Sequence, residues 1–296
     1  MKQGIFSGCG TALVTPFLMD GSVDWDSLDR LVEAQLAGGV RCLVAAGTTG
    51  EPATMTREER LAVIRRVVQK AAGRVPVIAG TGGNNTREVI EEARLARECG
   101  ADAQLCVTPY YNKTTQAGLI AHYCAIAEDG ALPVVVYNVP SRTGMNIAPA
   151  TLQAICRHEN VIAVKEANPD VGQALEKLRL CGEDAAFYSG NDDLTWPLMA
   201  CGFQGVISVA SNLVPEKMSA LTAAALRGDC AEAARLQMEL QPLNAALFCE
   251  TSPIPVKAAM AMLDRAQDVL RLPLVPMQPE NRKRMEQVLR DMGLVG

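Results

Sequence analysis

The chain has 296 residues, of which 49% are hydrophobic, 21% charged and 4% aromatic, with a net charge of −5. That balance supplies a globular core and excludes a basic nucleic-acid groove or a base-stacking platform, though not an anionic substrate held by a local arginine. No apolar run approaches the ~20 residues of a membrane span, and MKQGIFSGCG lacks the apolar core of a signal peptide, so a cytoplasmic location is expected.

The first strand signal is GCGTALVTPF (8–17). Asp24 then precedes an apolar pattern of helical spacing that ends at Gly38 and Gly39. RCLVAAG (41–47) reads as the second strand, and Thr56 with Glu59 forms a capping box for the helix behind it. VPVIAGTG (75–82) is the third strand, and Thr86 stands as the start signal of the next helix. AQLCVTPYY (103–111), LPVVVYNVP (132–140), VIAVKE (161–166), AAFYSGND (185–192) and GVISVAS (205–211) complete eight strands. Their starts are about one βα unit apart.

Eight strands alternating with helices predict a parallel sheet closed as an α/β (β/α)₈ TIM barrel. An open doubly wound sheet would want G-x-G-x-x-G after its first strand, and none is there. The remaining chain is helical in pattern, so residues 1–228 are expected as the catalytic barrel and 229–296 as a C-terminal helical extension. The ten cysteines contain no C-x-x-C pair and are expected as free, mostly buried thiols. Two histidines, His122 and His158, give no zinc set and no hydrolase triad, and neither metal nor cofactor is expected.

Barrel active sites lie where strands end. Those ends carry Gly47-Thr48-Thr49-Gly50-Glu51, Tyr110-Tyr111-Asn112, Tyr137 to Arg142, Lys165, and Ser189-Gly190-Asn191-Asp192. Lys165 alone would read as a solvated strand end. With tyrosine and threonine at neighbouring ends, it becomes a candidate nucleophile. Barrel walls would desolvate its ammonium, and the neutral amine can form a Schiff base with a carbonyl. The Thr48–Thr49 turn reads equally as an ordinary turn or as an anion nest. Arg142 reads as a loop residue or as a bidentate carboxylate partner. Glu166 has no role that the sequence discloses, and it should point away from the axis if Lys165 points in.

The motifs GTTGE (47–51), AGTGGN (79–84), TPYYNKTTQAGL (108–119), YNVPSRTG (137–144), VIAVKEA (161–167), SGND (189–192), GVISVASN (205–212) and TSPIPVKAAM (251–260) resemble the dihydrodipicolinate synthase family. That family sits in the pyruvate-dependent class I aldolase and lyase superfamily. The resemblance implies condensation of pyruvate with aspartate 4-semialdehyde, the first committed step toward diaminopimelate and lysine. It assigns the Schiff base to Lys165, acid–base work to Tyr137, and a proton relay to Thr48 and Tyr111, the latter reaching a neighbouring subunit. Thr49 would hold the pyruvate carboxylate, Gly190 and Ile207 would shape the pocket, and Arg142 would receive the semialdehyde carboxylate. Arg142 also speaks against the alternative, a retro-aldol lyase of N-acetylneuraminate or a keto-deoxy sugar acid, whose members generally lack it. A barrel that kept the fold and lost catalysis is a third reading, opposed by the intact lysine, tyrosines and threonine. The resemblance further implies a homotetramer built as a dimer of dimers and an inhibitory L-lysine site at Asn84, Glu88 and Tyr110. Arg57 and Arg60 stand where inhibited members often have histidines, so two guanidinium charges are expected to repel lysine and leave inhibition weak or absent. Smaller departures are Pro52, Thr114 and Ser252.

Overall fold

The computed structural model describes residues 2–295; Met1 and Gly296, the outermost residues of the two expected regions, lie outside them. Eight strands pair in chain order and close β1 (Gly8–Ala12) onto β8 (Gly205–Ser208), all in parallel. Between these two lie β2 (Cys42–Ala45), β3 (Val77–Gly80), β4 (Ala103–Val107), β5 (Val134–Asn138), β6 (Val161–Glu166) and β7 (Ala186–Ser189). The connecting helices are α1 (Trp25–Ala37), α2 (Arg57–Ala71), α3 (Thr86–Glu98), α4 (Gln116–Asp129), α5 (Pro140–Thr143), α6 (Pro149–Cys156), α7 (Val171–Cys181), α8 (Thr195–Ala200) and α9 (Pro215–Leu226). The expected (β/α)₈ barrel is therefore present. Past it come α10 (Cys230–Leu247), α11 (Ile254–Met262) and α12 (Pro279–Asp291), with α10 packed on α8 and α9 and α12 packed on α10.

Strand alternation sorts the side chains into two cores. Val44, Ile78, Leu105, Val135, Ala163 and Ile207 fill the barrel interior, which Phe6 joins by stacking on Tyr188 at 4.2 Å. Their neighbours face outward: Leu43 and Val206 pack with Leu28, Ile64 and Leu221 of the surrounding helices. Each such buried aliphatic side chain contributes roughly 2 kcal/mol. All strands but β6 end before their apolar runs do, because the chain leaves the ladder to build the mouth of the barrel. In the first run the ladder stops at Ala12, and the Val14 N–H donates to Asn212 Oδ1 at 3.2 Å instead.

Asp24 caps α1 by accepting from the Ser27 N–H, and Thr56 and Glu59 make the expected capping box on α2. Thr86 departs from expectation. It is the first helical residue of α3, Asn85 stands at the cap position, and Thr86 Oγ1 lies 2.9 Å from His122 Nδ1. A buried imidazole between α3 and α4 needs a polar partner, and that need takes the hydroxyl away from the helix end. All ten cysteines are free, and Cys201 and Cys230 are exposed. Among the described residues no helix is long and apolar enough to cross a membrane.

Candidate active site

Lys165 is the fifth residue of β6 and turns into the barrel, where it is 5% exposed. Its register partner on β5 is Tyr137, and its Nζ sits 4.4 Å from the centroid of the Tyr137 ring. Burial is the main force on the amine and pulls its pKa down to about 8; the Asp192 carboxylate opposes this and the Arg142 guanidinium adds to it. Tyr137 is buried as well. Burial pushes its phenol up to about 12, with Arg142 lowering it and Glu166 raising it. The pair thus offers an amine that deprotonates near neutrality beside a hydroxyl that keeps its proton. A ring face rather than a carboxylate lies next to Nζ, so among the described residues no ion pair locks the amine in its charged form.

The chain leaves β2 through a 3₁₀ turn, Thr48–Gly50, bounded by two non-glycine residues in the left-handed region, Ala46 at φ 52° and Glu51 at φ 55°. The Gly50 and Glu51 N–H groups close the turn onto the carbonyls of Gly47 and Thr48. A turn of this kind leaves its first N–H groups, those of Thr48 and Thr49, without partners of its own. Gly80 permits the close approach of this segment to β3, since a Cβ there would lie 2.2 Å from the Ala46 carbonyl oxygen. Thr49 is buried beneath the turn.

A cavity of about 680 Å³ opens at this end of the barrel. Thr48, Tyr137, Arg142, Asn84, Glu88 and Tyr110 border it. Arg142 lies on α5, and its Nη2 donates to the Ser252 carbonyl at 3.0 Å, leaving the rest of the guanidinium toward the cavity. Lys165, Thr49, Gly190 and Ile207 lie off that wall: Ile207 belongs to the buried barrel interior that also holds Tyr137, and Gly190 packs against Ala167, where a Cβ would come within 2.7 Å. Tyr111 is not brought to the cavity at all. It has φ 68° and is 93% exposed, projecting from the loop after β4.

Asn84 Nδ2 donates to the Tyr110 carbonyl at 3.1 Å, which ties two of the three residues of the expected lysine site together. The guanidinium charges beside them are already matched. Glu92 accepts from Arg57 at 2.7 Å and from Arg60 at 3.0 Å, and Glu91 accepts from Arg57 at 2.9 Å. The expected repulsion of an ammonium is weakened accordingly.

Two functional neighbours had no role that the sequence disclosed, although Asp192 stands in the strand-end set and Glu166 beside Lys165. Asp192 is fully buried; its Oδ2 accepts from the Val209 and Ala210 N–H groups at 2.9 and 3.0 Å, which fixes the loop after β8, and burial raises its pKa. Glu166 points away from the barrel axis as expected, but into a buried ion pair with Lys177 of α7 at 2.7 Å. Asn138, the register partner of Glu166, donates to it at 2.7 Å, and the Asn168 N–H donates at 2.8 Å. This polar layer lies directly behind the Tyr137–Lys165 pair. An eleven-residue spacing between acid and base carries no message until the fold brings α7 over β6.

Residues 5–292 match the model of the dihydrodipicolinate synthetase family. The chain is 50% identical over 291 residues to a 4-hydroxy-tetrahydrodipicolinate synthase of Nitratidesulfovibrio vulgaris, covering 98% of this chain and 99% of the relative. It is 48% identical over 295 residues to the enzyme of that name from Acetivibrio thermocellus, covering all of both chains. Among solved structures, the chloride-inhibited dihydrodipicolinate synthase from Acinetobacter baumannii complexed with pyruvate superposes with a TM-score of 0.96 at 42% identity, covering 98% of this chain and 99% of that one.

Proposed function

This chain belongs to the dihydrodipicolinate synthetase family, and on that premise we propose how its residues carry out the family's reaction. The protein is a lyase with 4-hydroxy-tetrahydrodipicolinate synthase activity, joining pyruvate to L-aspartate 4-semialdehyde. None of the relatives named above supports the retro-aldol alternative. The observation that carries the mechanism is the buried Lys165 amine over the Tyr137 ring.

Neutral Lys165 attacks the C2 carbonyl of pyruvate, and loss of water gives an iminium. The iminium draws electrons from the neighbouring methyl group, which loses a proton and leaves an enamine. The enamine carbon attacks the aldehyde carbon of the semialdehyde, forming the new C–C bond. The substrate's own amine then adds to the iminium carbon, the ring closes, and Lys165 leaves as the free amine. One water is released overall. Tyr137 moves the protons, with Thr48 and Tyr111 as its relay. Thr49 and the free N–H groups of the turn hold the pyruvate carboxylate, Gly190 and Ile207 bound the pocket, and Arg142 receives the second carboxylate. No step calls for a metal or an organic cofactor.

An exposed Tyr111 supports a relay completed between subunits, and a homotetramer built as a dimer of dimers belongs to this reading. So does a cytoplasmic location. Asn84, Glu88 and Tyr110 form the wall at which L-lysine would act, and with Arg57 and Arg60 paired to Glu91 and Glu92 their repulsion no longer argues for weak inhibition there. The test of the reaction is a condensation assay with pyruvate plus aspartate 4-semialdehyde, run beside cleavage assays with N-acetylneuraminate and keto-deoxy sugar acids. Turnover of the first pair alone supports the reading; cleavage of a sugar acid alone overturns it.

A further inference from the structure

The turn that carries Thr48 and Thr49 is gripped from the far end of the chain. Glu51, which closes the turn, is 2% exposed in its side chain and pairs with Lys257 of α11 at 2.5 Å, across 206 residues of sequence. Its second oxygen accepts from the Arg271 N–H at 3.2 Å. Both cations lie over one buried ring: Lys257 Nζ is 4.1 Å and the Arg271 guanidinium carbon 4.3 Å from the centroid of Phe17. Arg271 continues the grip, donating to both carboxylate oxygens of Glu59 and to the carbonyls of Thr54 and Gly21.

A buried ion pair is a poor source of stability, because desolvation offsets most of its attraction; what it does fix is geometry. Geometry is what this segment needs. Ala46 and Glu51 both hold left-handed conformations that side chains disfavour, and such backbone persists only where its surroundings over-determine it. Only the Gly47–Gly50 stretch lies between them, so a shift at Glu51 is passed on to Thr48 and Thr49.

We propose that Glu51 and Lys257 are positioning residues, a clamp from the C-terminal helices that holds the turn in the shape that receives the substrate carboxylate. The proposal rests on the assignment of that turn to pyruvate. It gives the C-terminal helices a part in pyruvate affinity although α11 places no side chain of its own on the reacting atoms.

The test is borohydride trapping of the pyruvate adduct against pyruvate concentration, with thermal unfolding measured on the same samples. Glu51→Gln strands the Lys257 charge; it lowers the unfolding midpoint and raises half-saturating pyruvate about tenfold, with full trapping at saturation. Glu51→Gln combined with Lys257→Met strands no charge. It recovers the midpoint but keeps the raised half-saturation, and it carries the same readout if the single variant does not fold. Half-saturation that returns to the unaltered value together with the midpoint, or that moves by less than about threefold in the single variant, makes the pair a staple only and overturns the clamp. Absence of any adduct in the unaltered protein removes the Schiff-base assignment and the clamp with it.

Discussion

Tyr137 and Lys165 face each other across adjacent parallel strands, and the Lys165 amine rests 4.4 Å over the Tyr137 ring inside the barrel. The two groups are perturbed in opposite senses, the amine down to about 8 and the phenol up to about 12, both mainly by burial. Amine and acid are therefore present together in the forms that iminium chemistry requires.

The first consequence is a pH profile. The ammonium is inert and the amine reacts, so the rate of Schiff-base formation must rise with pH and level off above about 8. At pH 7 roughly a tenth of the lysine is already neutral, against less than about a thousandth at an ordinary lysine pKa. Rapid-mixing trapping from pH 6 to 9 checks this. A rate that still climbs about tenfold per pH unit up to pH 9, as an ordinary lysine would give, contradicts the desolvated lysine.

Arg142 acts on two levels. It lines the cavity as a carboxylate receptor, and its charge helps depress Lys165. Arg142→Ala should raise the KM for aspartate 4-semialdehyde by about 10- to 100-fold, the worth of a lost charged hydrogen-bond pair. It should leave pyruvate half-saturation nearly unchanged and move the inflection of the pH profile upward. Steady-state kinetics with each substrate varied in turn separates these effects.

Behind the site, Glu166 and Lys177 have fully buried side chains. Removing one charge strands the other, so Lys177→Met should destabilise the protein by about 3–5 kcal/mol in urea unfolding. Adding Glu166→Gln should restore much of that loss, although Asn138 and the Asn168 N–H then meet an amide. A double variant no more stable than the single would show that the hydrogen bonds, rather than the charge balance, hold this layer.

His122 is buried between α3 and α4 with Nδ1 on Thr86 and Nε2 without a partner among the described residues. Burial alone lowers its pKa to about 4 from the usual 6.5. Between those values the unfolded chain binds a proton that the native state refuses, so stability falls as pH drops from about 6.5 to about 4. The loss approaches about 3 kcal/mol at the acid end. His122→Gln should flatten this stretch of the urea midpoint against pH, whatever it does to stability at pH 7.

The barrel was legible because each strand is a short apolar run and each βα unit repeats its punctuation. The strands' C-terminal ends were not, since the residues that leave the ladder at Leu13 or Thr108 are as apolar or β-prone as those inside it. Lys165 was legible as an amine at a buried strand end, and its partner Tyr137 through the resemblance. What stayed hidden depends on contacts between distant segments: Thr86 giving its hydroxyl to His122, Glu166 meeting Lys177, and Glu51 meeting Lys257. Local pattern carries no information on such pairs; only the closed barrel and the returning C-terminal helices create them. Tyr111 is the converse case. Its place in the relay came from resemblance, and within one chain it stands in solvent.

The most direct measurement is peptide mapping after borohydride reduction in the presence of pyruvate. The account predicts a single reduced pyruvate adduct on Lys165, lost in Lys165→Ala and retained when Glu166→Gln is combined with Lys177→Met, which strands no charge. An adduct on any other lysine, or none in the unaltered protein, contradicts it.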